Sequence, residues 1–203
     1  MKTIGITGGI GSGKSVVSAL LELYGIPVYI ADEESKRLTQ SSPVIRKGLI
    51  ELFDESIYTG EGLDKKKLAS LIFGNPQMLK AVNSLIHPEV YKDYLQWAES
   101  KHTELCALES AILFESGFDK LADYTVMVYA PEEIRIQRAM NRDNSSRTDV
   151  TNRIKNQLPD EIKRDKSDFV ILNDGIQALI PQVERSEKRR VGKECRSRWS
   201  PYH

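Results

Sequence analysis

KTIGITGGIGSGKS, the stretch from Lys2 to Ser15, decides the fold of this chain. Its first half is an apolar, β-branched run that predicts a buried strand, and this strand stops at a cluster of glycines. After the glycines the period changes, because Val17, Leu20 and Leu21 recur at the spacing of one helix face. The sequence therefore predicts a strand, a glycine loop and a helix in direct succession.

The glycine loop has the spacing of a phosphate-binding loop, since Gly8 to Ser15 follows G-x-x-x-x-G-K-[ST]. Glycines let the backbone wrap so that several N–H groups face a polyphosphate, and the helix that follows adds the positive end of its dipole. Lys14 can reach the β- and γ-phosphates, and the Ser15 hydroxyl can bind Mg²⁺. A glycine turn without a ligand is the alternative, but the flanking strand and helix favour a nucleotide site. The ATP-binding residues predicted here are Gly8, Gly9, Gly11, Ser12, Gly13, Lys14, Ser15 and Val16.

Composition indicates a soluble α/β protein with 40% hydrophobic and 29% charged residues in a chain of 203. No apolar run is long enough to span a membrane, so we expect no membrane association and a cytoplasmic location. Cys106 and Cys195 have no partner at metal-ligand spacing. The first 185 residues carry 23 basic and 27 acidic side chains, which argues against nucleic-acid binding.

A long helical region separates the second predicted strand, Val28 to Ile30, from the third, Leu105 to Leu108. The residues from Glu33 to His102 show helical periodicity and are far more than one crossover requires. They predict an inserted helical lobe. Its longest helix runs from Gln77 to about Lys101, and we expect Pro88 to end or kink it.

Polar residues at strand ends and in the lobe are candidates for chemistry. Asp32 follows the second strand, so it either caps the next helix, Glu33 to Thr39, or lies at the ligand edge of the sheet. Glu109 ends the third strand, where an acidic residue can orient Mg²⁺ or its waters. His87, which precedes a proline, is either structural or a substrate contact.

Two helices after the fourth strand carry the basic residues of a predicted lid. The first helix contains Arg135, Arg138 and Arg142, of which Arg138 and Arg142 share a face at i, i+4. The second contains Arg153 and Gln157. Together they predict a lid over a triphosphate, and the alternative is a solvated charged face.

The last part of the chain contains a strand, Phe169 to Leu172, and then Asn173, which we predict to contact the base of the nucleotide. An amphipathic helix from Ile176 to Val183 follows. From Ser186 the apolar period stops. Residues 186–203 are therefore expected to be a non-native or disordered tail.

The ordered set of motifs resembles the dephospho-CoA kinase family over about residues 1 to 184. The motifs are TGGIGSGKS, IAD, FGNP, LIHP, AILFE, RAMNRD and SDFVILNDG, in this order. The resemblance implies ATP-dependent phosphorylation of the ribose 3′-hydroxyl of dephospho-CoA, the last step of coenzyme A synthesis. It implies an α/β fold with a P-loop NTPase-type parallel sheet flanked by helices. The parts would be a core (1–32, 103–130 and 168–185), a substrate lobe (33–102) and a lid (131–167).

The resemblance also implies roles for individual residues. Asp32 would accept the proton of the 3′-hydroxyl, and Asn173 would lie against the adenine. The departures are Ile30, where the family often has Asp, and Ala111, where it usually has Pro. Around the transferred phosphoryl group we expect Lys14, Arg138 and Arg142. At the substrate we expect Asp32, His87, Leu113 and Glu115. The residues expected at Mg²⁺ are Ser15 and Glu109.

Phosphoryl transfer needs positioning and charge stabilisation, for which the sequence offers a phosphate cradle, a cation, a base and a lid. A P-loop kinase for another small alcohol, a nucleoside or a shikimate-like acid, is the nearest alternative. A GTP-driven binding switch would need N-K-x-D and D-x-x-G motifs, and the sequence contains neither. The expected partners are ATP and dephospho-CoA, and the sequence does not specify an oligomeric state.

Overall fold

The computed structural model describes residues 1–60 and 62–191, with side chains as far as Arg185. It divides the chain into two compact units, which we call the sheet unit (Met1–Val28 and the chain from Thr103 onward) and the helical unit (Tyr29–His102). The strands are β1 Lys2–Thr7, β2 Val28–Ile30, β3 Tyr58–Thr59, β4 Gly62–Leu63, β5 Leu105–Glu109, β6 Tyr124–Tyr129 and β7 Phe169–Leu172. The α-helices are α1 Lys14–Leu23, α2 Ala31–Ser41, α3 Pro43–Phe53, α4 Lys65–Ile72, α5 Pro76–Ser100, α6 Glu132–Asp143, α7 Arg147–Lys155, α8 Asp160–Lys166 and α9 Leu179–Val191.

The main sheet has the strand order β2-β5-β1-β6-β7. β1 pairs in parallel with β5 and with β6, and β6 pairs in parallel with β7. The carboxyl ends of parallel strands meet at one edge of a sheet, which is where α/β proteins bind ligands. The loops that follow β1, β5, β6 and β7 therefore share one edge. The predicted parallel sheet flanked by helices is confirmed.

One apolar core holds β1 and its neighbours against α1 and α9. A parallel sheet covered by helices buries its strands on both faces, which explains the continuous apolar runs in the sequence. Gly5 lets a side chain approach β1, because a Cβ there would lie only 2.9 Å from Leu113 Cδ2. The buried core residues are Ile4, Ile6, Val17, Leu21, Ile26, Ala107, Val126, Val128, Ile171 and Val183.

The helical unit begins earlier than the sequence pattern predicts. α2 starts at Ala31 with Ile30 at its N-cap position, and no side chain caps it. Asp32 is therefore exposed inside the first helical turn, and the prediction that it caps a helix from Glu33 is wrong. Its charge still favours this end of the helix dipole.

The long helix α5 runs through Pro88 without ending, so the predicted end at this residue is wrong. Proline removes one helical hydrogen bond, but the residue is exposed and the helix is held by a buried face on both sides of it. That face consists of Val82, Ile86, Val90, Tyr94 and Ala98.

Asp93 on α5 connects the long helix to the start of the helical unit. It accepts a hydrogen bond from the Tyr29 hydroxyl at 2.8 Å and pairs with Arg37 of α2 at 2.7 Å. The ring of Tyr29 packs edge-on against Tyr94 and Trp97, with centroids 5.3 Å away in both cases. The aromatic cluster packs Tyr29 of β2 against α5, and the pair between Arg37 and Asp93 joins α2 to the same helix.

The last helix differs from the predicted one at both ends. Ile176 lies before α9 and is 89% exposed, so it is not part of the helix. α9 continues through Val191, six residues beyond Arg185. The remainder of the predicted tail, 192–203, lies outside the described residues. Among the helices that the structure describes, none is long and apolar enough to cross a bilayer.

We expect truncation after Val191 to shift the melting temperature by no more than about 2 °C, because the sequence beyond it has no apolar period to pack. The check is a thermal melt with a nucleotide-binding assay on both proteins. A second truncation, after Arg185, also removes the end of α9, so comparing the two truncations measures how much the end of the helix contributes to the melting temperature. A loss of several degrees in the protein truncated after Val191 would contradict the expectation.

Candidate active site

The loop between β1 and α1 has a backbone that only glycine adopts easily. Gly11 and Gly13 have φ values of 78° and 91°, in the left-handed region. The Ser12 N–H donates to Gly9 O at 3.1 Å and closes the turn. Gly13 is the N-cap of α1 and has no side chain to cap it. The first N–H groups of this helix therefore face the loop without a side-chain acceptor from the N-cap residue. The loop therefore has the backbone shape that the predicted anion site requires, and anion binding there stays a prediction.

Lys14 folds back over this loop, and its Nζ donates to Gly8 O at 3.0 Å. Ser15 is exposed on the first turn of α1, where its hydroxyl is open to a ligand, and Val16 beside it is 49% exposed. Ser12 is completely buried, and its N–H is used within the loop. Ser12 therefore shapes the loop, and its predicted contact with ATP stays a prediction.

Glu109 ends β5 at the same sheet edge and is 7% exposed. Its Oε2 accepts a hydrogen bond of 2.5 Å from the Ser18 hydroxyl on α1. The carboxylate is thereby held beside the helix that carries Ser15. Within the described part of the chain, no group of three His, Cys, Asp or Glu residues is arranged to hold a metal. A metal here would need oxygens from a bound phosphate.

The turn after β7 contacts the phosphate loop directly. Asn173 Nδ2 donates to Ser12 O at 2.8 Å, and the Asn173 N–H donates to Tyr129 O at 2.7 Å. A Cβ on Gly13 would lie 2.1 Å from Asn173 Nδ2. The predicted contact of Asn173 with a base stays a prediction, whereas its side-chain amide fixes the loop.

The two predicted lid arginines have different partners. Arg138, half-buried, donates from Nη1 to Asn173 O at 3.0 Å. Arg142 is exposed and pairs with Asp143 at 2.7 Å, and Arg153 of α7 pairs with the same carboxylate at 2.6 Å. These two guanidinium groups hold the pKa of Asp143 well below its usual range. Asp143 thus keeps Arg142 and Arg153 together.

Two residues of the AILFE segment are occupied by structural contacts. Leu113 is completely buried against Gly5, so its side chain offers no surface to a substrate. Glu115 accepts a hydrogen bond from the Leu158 N–H at 2.8 Å and lies 3.3 Å from the buried Lys163 Nζ. The complete burial of Leu113 corrects the expectation that its side chain faces the substrate. Glu115 is exposed and holds the segment between α7 and α8, and its predicted contact with substrate stays a prediction.

Asp32 and His87 both belong to the helical unit. Asp32 is exposed on the first turn of α2. His87 is half-buried in α5, and burial lowers its pKa, which favours the neutral imidazole near pH 7. Their predicted contacts with substrate stay predictions.

Sequence reasoning counted Arg135 among the basic residues of the predicted lid, but it is only 3% exposed. Its Nη2 forms an ion pair of 2.7 Å with Asp160, and its Nη1 donates to Ile10 O at 3.4 Å. Burial raises the pKa of Asp160, and the charge of Arg135 opposes that rise. The sequence feature that could have indicated the burial of Arg135 is its place on the apolar face of α6, four residues before the buried Ala139.

Comparison with known proteins gives concordant matches. A model of the dephospho-CoA kinase family matches residues 2–178. A dephospho-CoA kinase of Bacteroides fragilis (strain YCH46) is 50% identical over 181 residues, 89% of this chain and 88% of the relative. One of Porphyromonas gingivalis is 47% identical over 186 residues, 91% of this chain and 92% of the relative. A crystal structure of a Thermus thermophilus protein has a TM-score of 0.80 at 36% identity, covering 95% of this chain and 97% of that one.

We expect Gly13→Ala to weaken ATP binding about 10-fold or more, because the new methyl group collides with Asn173 and strains the loop. Gly25→Ala is the matched control. Gly25 has a similar φ of 77°, but a Cβ there meets nothing within 4 Å. Titration of a fluorescent ATP analogue measures both affinities. Equal affinities in the two variants would contradict the role of Asn173 in shaping the loop.

Proposed function

Since this chain belongs to the dephospho-CoA kinase family, we propose that it transfers the γ-phosphoryl group of ATP to the 3′-hydroxyl of dephospho-CoA. The observation that carries the proposal is the glycine loop of β1 and α1, at one sheet edge with Glu109 and the Asn173 turn. This arrangement supplies the cradle, the cation and the acidic residue that phosphoryl transfer requires.

Lys14 is the cation of the cradle. In the structure its Nζ donates to the neutral carbonyl of Gly8. A phosphate oxygen is a charged and stronger acceptor, so we expect the ammonium group to exchange the carbonyl for the β- and γ-phosphates. The lysine is thus already within the loop that receives the triphosphate.

Ser15 and Glu109 fit a magnesium ion by their chemistry. A hydroxyl and a carboxylate are hard oxygen donors, and Mg²⁺ commonly completes its shell with phosphate oxygens and water. Ser15 is exposed at the start of α1, and Glu109 is held in place by Ser18. We assign Ser15 as the direct ligand and Glu109 as the residue that orients the metal-bound water. The ion would neutralise charge on the transferring phosphoryl group.

The lid arginines stabilise the negative charge that moves during transfer. Arg142 and Arg153 are exposed and share Asp143, so a triphosphate can compete with this carboxylate for them. Arg138 extends from α6 to the Asn173 turn beside the loop. We therefore assign Arg138 and Arg142 to the phosphate chain of ATP.

Asp32 is the proposed base. A hydroxyl is a poor nucleophile while it keeps its proton, and a carboxylate within hydrogen-bond reach can orient it and accept that proton. Asp32 is exposed, and its helix begins without using it as a cap. His87 is assigned to binding of the acceptor in its neutral form, which burial favours.

Acceptor identity tests the function directly. With ATP and Mg²⁺, we expect kcat/KM for dephospho-CoA to exceed kcat/KM for shikimate or adenosine by about 100-fold or more. Shikimate and adenosine each lack most of the groups through which we expect dephospho-CoA to contact the protein. Product analysis by chromatography, with NMR to locate the new phosphate on the 3′-oxygen, provides the measurement. Equal use of shikimate or a nucleoside would favour the alternative kinase.

We expect Asp32→Asn to lower kcat by about 100-fold or more and to leave ATP affinity nearly unchanged, because asparagine keeps the size but is a far weaker base. Loss of the charge at the helix start costs the fold only about 0.3–1 kcal/mol. Steady-state kinetics and ATP titration are measured together.

Glu33→Gln is the control, since Glu33 is an exposed acid on the same turn of α2. It makes the same change of charge at the same helix end. Full activity in Asp32→Asn, or an equal loss in Glu33→Gln, would remove Asp32 from the role of base.

A further inference from the structure

The phosphate loop is held from outside by a buried arginine that the mechanism above does not use. Arg135 lies on α6, and its guanidinium reaches three separate segments of the sheet unit. Nε donates to Ala130 O at the end of β6 at 3.1 Å, and Nη1 donates to Ile10 O at 3.4 Å. Nη2 pairs with Asp160 at the start of α8 at 2.7 Å. One side chain therefore connects the sheet edge, the loop and the lid region.

The glycines of the loop fit closely around Arg135. A Cβ on Gly9 would lie 2.1 Å from Arg135 Nη1, and a Cβ on Gly11 would lie 2.2 Å from Arg135 O. Gly11 also needs its positive φ, but Gly9 is not among the residues with positive φ. The close fit at position 9 therefore comes from the guanidinium rather than from the backbone conformation.

Both backbone groups of Ile10 are bound by side chains of the lid region. Its carbonyl accepts from Arg135, and its N–H donates to Gln157 Oε1 at 3.2 Å. Gln157 lies two residues after the end of α7, and Asp160 is the first residue of α8. The orientation of the Ile10 peptide groups is therefore set by side chains of the lid region rather than by the loop itself.

Arg135 is not placed as a ligand for phosphate. It is 3% exposed, and its charge is matched by Asp160, whose side chain is 13% exposed. Removing either partner would leave the other buried without its counter-charge. Because the pair is buried and the other two donors are directed at backbone oxygens, the guanidinium is placed to shape the loop rather than to contact a phosphate.

We propose that Arg135, Asp160 and Gln157 are positioning residues that hold the phosphate loop in its ATP-binding shape and link that shape to the lid. The inference rests on the proposed function in that ATP is the ligand of the loop. It does not depend on the identity of the acceptor.

The test is Arg135→Lys, which keeps the positive charge but cannot make the three directed contacts of a guanidinium. We expect the Kd for a fluorescent ATP analogue and the KM for ATP to rise about 10-fold, because the loop loses the bond to Ile10. The KM for dephospho-CoA and kcat at saturating ATP stay within about 2-fold. If Arg135 only stabilised the fold, Arg135→Lys would lower the melting temperature but would not raise the KM for ATP more than the KM for dephospho-CoA.

Arg147→Lys is the matched control, because Arg147 forms an exposed ion pair with Glu133 on the lid helices and makes no contact with the loop among those described. Gln157→Leu is the second variant. It removes the acceptor for the Ile10 N–H and is expected to raise the same two quantities for ATP by a smaller factor. The double variant should raise them by less than the product of the single effects, since both act on Ile10.

Unchanged ATP affinity in a folded Arg135→Lys protein overturns the inference, as does a parallel rise of both KM values. If Arg135→Lys does not fold, Gln157→Leu decides by the same criterion. A shifted Kd for the ATP analogue in a protein that does not phosphorylate dephospho-CoA would support the inference while rejecting the proposed function. The two failures are therefore distinguishable.

Discussion

The backbone from Gly8 to Lys14 must keep its N–H groups directed at the space that a phosphate would fill. Contacts from the rest of the sheet unit hold the loop in this shape. Such a loop gains little from its own hydrogen bonds, because N–H groups that face a ligand cannot also close turns. The stabilising contacts come from side chains outside it, Arg135, Gln157 and Asn173. The loop is thus shaped by α6, the end of α7 and the turn after β7.

Three arginines of α6 have three different environments, and the helix explains why. Arg135 is on the buried face, Arg138 is half-buried one turn later, and Arg142 is exposed near the end of the helix. The first two bond to backbone oxygens near the phosphate loop, and the third pairs with Asp143. One helix thereby supports the loop at its start and offers an exposed cation at its end.

The resemblance of the motifs to a known family implied the parallel sheet. Sequence periodicity predicted the strand, loop and first helix and the helical region, because these depend on local patterns of apolar residues and glycines. It failed where tertiary contacts override local preference. α5 passes through Pro88 because its buried face continues on both sides, and α2 begins before Asp32. Leu113 is completely buried against Gly5, which is distant in sequence. The buried Arg135 looked like one more lid cation, because charge alone does not reveal burial.

We infer that the loop has its binding shape before ATP arrives. Amide hydrogen exchange at Ile10 and Ser12 in the nucleotide-free protein tests it, because these N–H groups bond to Gln157 and Gly9. We expect exchange about 100-fold or more slower than in an unfolded chain, with little further change when ATP is added. Exchange at unfolded rates in the free protein, with protection gained only with ATP, would contradict it.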